Sequence, residues 1–173
     1  MYQNIIFIGG IHGVGKGNVC TKIQQKMDLE HLSASEVLKW SEVSPDTSNK
    51  LVKDISDTQD RLINRLKSLI NPNKRYILDG HFCLFDAFGK IHKIPLTTFE
   101  KISPFVISVV TSDVEIVNER LRKRDGKSYS QNILNEMQET EIDQAVSIAN
   151  SLNIPFFIIK NDDSSELVKF LSN

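Results

Sequence analysis

The segment from Asn4 to Met27 constrains this chain more than any other. An apolar run, Ile5-Ile6-Phe7-Ile8, leads into Gly10-Ile11-His12-Gly13-Val14-Gly15-Lys16-Gly17, and Val19, Ile23 and Met27 follow at helical spacing. A strand, a glycine loop and a helix in that order form a cradle for an anion. Glycines admit positive φ angles and let backbone N–H groups approach phosphate oxygens with no Cβ in the way. The helix start adds unpaired N–H groups and the positive end of its dipole, and Lys16 adds a compact charge for the β/γ-phosphates. The spacing Gly-x-x-x-x-Gly-Lys is therefore read as a phosphate-binding loop. After the lysine come Gly17 and Asn18, so no hydroxyl directly follows Lys16 to hold a magnesium ion.

With 173 residues the chain is expected to form one domain with a substantial core. Its 40% hydrophobic and 25% charged content suits an ordinary globule, and a net charge of −1 gives no nucleic-acid or membrane footprint. No apolar run approaches the ~20 residues of a membrane span. Cys20 and Cys83 lack Cys-x-x-Cys spacing, which fits a reducing cytoplasm and argues against a thiolate metal site.

Further along, His31-Leu32-Ser33 reads as a short extended piece and Glu36–Trp40 as a brief helix. Leu51, Ile55, Leu62, Leu66 and Leu69 mark a long helix ending before Asn71-Pro72-Asn73. Tyr76-Ile77-Leu78 is a buried-type strand running into Asp79-Gly80, and 81–95 reads as irregular. Phe105–Val110 and Pro155–Ile159 are further strands, with helical spacing at Val114, Val117 and Leu121 and again after Ser130. Nearly continuous apolar strands alternating with helices predict a parallel sheet covered on both faces. The loops at 9–17, 79–95 and 111–112 then meet at the strand carboxyl ends, where ligands collect in such sheets.

Asp79, at the end of an apolar strand, has the position of a carboxylate that holds magnesium directly or through water. The plainer alternative is a strand-end turn with Gly80. Arg120 and Arg124 lie four residues apart on one helix face. They suit a pair closing over a transferred phosphoryl group, or a solvated helix end complementing the macrodipole. Residues 125–130 form a short connection of the kind that serves as a lid. His12 and His81 are candidates for contact with phosphate or water, with packing and capping as the alternative.

The stretch IFIGGIHGVGKGNVCTKIQQKMDLEHLSASEVLK, from Ile6 to Lys39, resembles the opening of adenylate kinases and, more broadly, nucleoside monophosphate kinases. That family also carries Gly after the lysine, so Asn18, in place of its Thr, becomes the departure. ILDGHFCLFDAFGKIHKIP and RLRKRD resemble the compact, short-lid archaeal-type enzymes. Asp79 and His81 match the first and third positions of an Asp-Thr-His motif in that group. The resemblance implies an α/β P-loop fold with a five-stranded parallel sheet. It also implies an acceptor region near 33–70 and a lid near 120–130.

It implies ATP and Mg²⁺ as well, and small nucleotides as partners. ATP would meet Gly10, His12, Gly13, Val14, Gly15, Lys16, Gly17 and Asn18, and the metal would meet Asn18 and Asp79. Ser33, Glu36, Lys39 and His81 fall on the acceptor side, where Lys39 replaces an arginine and Lys50, Lys53 and Arg61 are further cations. The expected chemistry is γ-phosphoryl transfer to a nucleoside monophosphate, with Lys16, Asp79, Arg120 and Arg124 as its catalytic groups. Two other readings stand beside it. One is a kinase of the same architecture with an alcohol acceptor, using Asp79 or Glu36 as base. The other is a nucleotide-binding switch with little catalysis.

Overall fold

The computed structural model describes residues 4–38, 55–86, 90–126 and 129–173. The elements run β1 (Ile5–Gly9), α1 (Lys16–Gln24), β2 (Glu30–Ser33), α2 (Ala34–Val37), α3 (Ile55–Leu69), β3 (Tyr76–Asp79) and β4 (Cys83–Phe85). They continue with β5 (Ile91–Lys93), α4 (Leu96–Ile102), β6 (Val106–Thr111), α5 (Val114–Asp125), α6 (Gln131–Leu152), β7 (Phe156–Lys160) and α7 (Ser165–Leu171).

The main sheet has five strands in the order β2-β3-β1-β6-β7, all parallel. β1 takes the middle because every one of its residues is apolar or glycine and can be buried on both faces. It pairs Ile6 with Ile77 on one side and with Val106 on the other, and Ile6 has no exposed surface. Burying such a side chain is worth about 1.5–3 kcal/mol, so β1 anchors the core. This register brings Gly9, Asp79 and Thr111 to one edge of the sheet, where the phosphate loop leaves.

One stretch departs from its expected irregularity. β4 and β5 form a small antiparallel hairpin in which Cys83 faces Lys93, and α4 follows directly. Three-residue strands are too short to display a period, and residues 87–89 lie outside the described residues. The helix does carry a signal. Pro95 caps it in extended conformation, and Phe99 and Ile102 bury one face. Among the described residues no helix is long and apolar enough to cross a membrane.

Candidate active site

The phosphate loop is shaped by what surrounds its glycines. At Gly10, φ is +141° and a Cβ would lie 2.6 Å from the Val110 carbonyl oxygen of β6. At Gly13, φ is +79° and a Cβ would lie 2.8 Å from Leu121 Cγ of α5. Both positions exclude a side chain twice over, by backbone conformation and by space. Gly13→Ala is accordingly expected to destabilise the protein by about 2–4 kcal/mol, read as a lower urea midpoint at constant slope. Val14 packs its side chain into the core, so it has only backbone to offer a ligand. Gly15 caps α1 in the left-handed region with no side-chain cap, leaving the first-turn N–H groups available for an anion. Lys16 folds back across the loop, donating from Nζ to the carbonyls of Gly10 at 2.7 Å and Ile11 at 3.2 Å.

The loop forms one end of a cleft of about 690 Å³. Its charged and polar lining includes His12, Lys16, Asp79, His81 and Arg124, with Ser33, Glu36, Thr58 and Gln59. Its apolar lining comes from Phe7, Ile11, Leu38, Leu62, Leu84, Ile94, Phe99 and Ile102. Asp79 closes β3 at the cleft floor and is in hydrogen-bond contact with His31 Nε2. His81, two residues further on, sets its ring 4.1 Å from that of His12, centroid to centroid.

Beneath the floor lies Cys20, fully buried, and burial together with the Asp79 charge pushes its thiol up to about 12. Burial, and then Glu141, does the same to Cys83, also to about 12. Both thiols should therefore stay unreacted with an aromatic disulfide reagent at pH 8 in native protein and react fully in denaturant. Rapid native labelling of either would contradict this packing.

The other candidates separate. Arg124 lines the cleft, whereas Arg120, one turn earlier on α5, donates from Nη1 to the Val14 carbonyl at 2.8 Å and so braces the outer side of the loop. Asn18 does not line the cleft; its amide donates to Asp162 Oδ2 at 2.7 Å, an oxygen that Lys22 also approaches at 3.3 Å. Asp162 and Asn161 make a left-handed turn just after β7, with φ of 64° and 51°. Ser33 and Glu36 border the cleft, and the Ser33 hydroxyl pairs with that of Ser35 at 2.9 Å. Lys39, Trp40, Lys50 and Lys53 lie outside the described residues, and Arg61 is not among the cleft-lining side chains.

Residues that sequence reasoning passed over also converge here. Glu141 of α6 is wholly buried and accepts the backbone N–H of Phe82 at 2.9 Å and of Cys83 at 3.2 Å. Its signal was its place on the buried stripe Leu134, Met137, Glu141, Ala145 and Ile148, where a carboxylate is out of pattern.

A loop at the carboxyl edge of a parallel β2-β3-β1-β6-β7 sheet, opening on a lysine and a strand-end aspartate, defines an α/β P-loop kinase fold. A gluconokinase from Sinorhizobium meliloti 1021 shares it at a TM-score of 0.54 and 12% identity, over 97% of this chain and 89% of that one. The chain belongs to the AAA domain family, whose model matches residues 9–138. Over 91 residues it is 35% identical to an adenylate kinase of Mycoplasma mobile, covering 47% of this chain and 41% of that protein. Over 86 residues it is 30% identical to human adenylate kinase isoenzyme 1, covering 44% of each. The chain thus spans less than half the length of these curated relatives.

Proposed function

We propose that this protein transfers the γ-phosphoryl group of ATP to a nucleoside monophosphate. The observation that carries the reading is the cleft's mixed lining. The glycine loop, Lys16 and Arg124 border the same cavity as the apolar side chains of Leu62, Leu84, Ile94 and Phe99. Apolar walls with a few polar groups suit a flat heteroaromatic base, whereas a polyol would need donors and acceptors along its whole length. The identity to adenylate kinases supports the same acceptor class.

In this reading the loop N–H groups and Lys16 hold the β/γ-phosphates, and Arg124 meets charge developing on the transferred group. Arg120 acts on the loop's shape through the Val14 carbonyl. A monophosphate oxygen is already ionised, so no general base is needed. Asp79 is a hard oxygen donor lining the same cleft as Lys16, which fits a magnesium ion. Asn18 donates its amide N–H to Asp162 and does not line the cleft. When bound, Mg²⁺ neutralises phosphate charge, and Asp79 would hold it.

The test is an ADP-release screen over AMP, CMP, GMP, UMP and common alcohol metabolites, with Lys16→Ala as the blank. Turnover with one or more monophosphates is expected, and Asp79→Asn should lower it about 10²-fold while raising the Mg²⁺ concentration needed. Turnover confined to alcohols, or tight ATP binding with no transfer to anything, would overturn the reading.

A further inference from the structure

Helix α6 runs behind the cleft and ties three loops to itself from one face. Gln138 pairs with both backbone groups of Ser112 after β6, at 3.1 and 3.0 Å. Gln144 donates to the Ile94 carbonyl after β5, at 2.8 Å. Between them Glu141 holds the turn after β3 through the N–H groups of Phe82 and Cys83. Residues 138 and 144 do this work as neutral amides. Only position 141 carries a charge, and it carries it with no exposed surface.

A carboxylate buried to that degree costs several kcal/mol in desolvation; its two backbone N–H donors offset part of that, and the loops held from 138 and 144 need no such group. The difference at 141 is an imidazole. His81 Nδ1 lies 3.4 Å from Glu141 Oε1, and the same ring borders the cleft and meets His12 of the phosphate loop. One buried charge therefore sits at the end of a chain of contacts, Glu141 to His81 to His12, that reaches the glycine loop.

We propose that Glu141 is a positioning residue: its charge orients the His81 ring at the cleft and, through the ring contact with His12, fixes the phosphate loop against the turn after β3. This rests on the phosphoryl-transfer reading for its effect on rate, but its effect on the rings does not. The 3.4 Å approach of Glu141 Oε1 to His81 Nδ1 is an electrostatic contact, longer than a charge-assisted hydrogen bond, and it couples the turn after β3 to the phosphate loop through the His12 ring.

The experiment compares Glu141→Gln, Glu141→Asp, His81→Gln and the double variant E141Q/H81Q. Glu141→Gln and His81→Gln should each lower kcat at least ten-fold with the ATP KM within about two-fold of wild type. The double variant should be no worse than the poorer single, as expected for residues acting as a unit. Glu141→Asp keeps the charge and should retain more activity than Glu141→Gln. A purely structural role predicts the opposite: losses that follow thermal stability, equal for Gln and Asp, and adding in the double variant.

Independently of turnover, ¹⁵N-histidine spectra at one pH should show the His81 and His12 ring signals moved by Glu141→Gln and those of His31 and His92 unmoved. Unmoved His81 and His12 signals would overturn the proposal even if no acceptor is ever found. Moved signals with unchanged kcat in an active enzyme would overturn it too. Should Glu141→Gln fail to fold, His81→Gln decides: unchanged kcat, or an unshifted His12 ring signal, rejects the coupling.

Discussion

Lys16→Ala is expected to reduce phosphoryl transfer about 10³-fold while leaving the fold intact. In the proposed transfer, the rate effect follows from removing the cation that would meet charge gathering in the transition state. The small stability effect follows from where the side chain rests. Its Nζ is held by the Gly10 and Ile11 carbonyls at the rim of an open cleft. Water can replace it on both oxygens, so the loss should be about 1 kcal/mol or less. The check is kcat/KM for ADP formation beside a thermal melt. A loss under ten-fold would remove Lys16 from the chemistry, and a collapse of the melt would make it structural.

The sheet was legible because its central strands are nearly continuous in apolar residues, with Ser108 the polar exception in β6. Ile5–Ile8, Tyr76–Leu78 and Phe105–Val110 announced buried parallel strands, and each falls within one residue of the observed element. The phosphate loop was legible because glycine spacing is a local property. Other features depend on distances the chain order does not display. Asn18 finds Asp162 across 144 residues, a pairing no local pattern announces. Arg120 and Arg124 share a helix face, yet one turn of rise sends the first to the Val14 carbonyl and the second to the cleft. Glu141 sits on the apolar stripe of α6, but its backbone partners Phe82 and Cys83 lie 59 and 58 residues away. The acceptor side was least legible, since its walls come from α2, α3, β4 and α4, which no single motif joins.

Gly9→Ala should be among the most destabilising single changes outside the strand interiors, costing about 3 kcal/mol. Gly9 ends β1 with an ordinary φ, so the cost is not backbone strain. A Cβ there would stand 2.2 Å from Phe82 Cε2 and 2.4 Å from Cδ2. The ring cannot step aside. Phe82 is fully buried, edge-on to Phe7 at 5.0 Å and stacked with Phe99 at 5.3 Å, and its backbone N–H is fixed to Glu141. Any relief must come from moving the turn that carries His81, so activity should fall along with stability. Phe82→Leu removes ring atoms from the contact and makes the test specific. In the G9A/F82L double variant the loss should be smaller than the sum of the singles by at least about 1 kcal/mol, measured by urea unfolding with an unchanged slope. Simple additivity would mean that Gly9 is required for some reason other than the Phe82 ring.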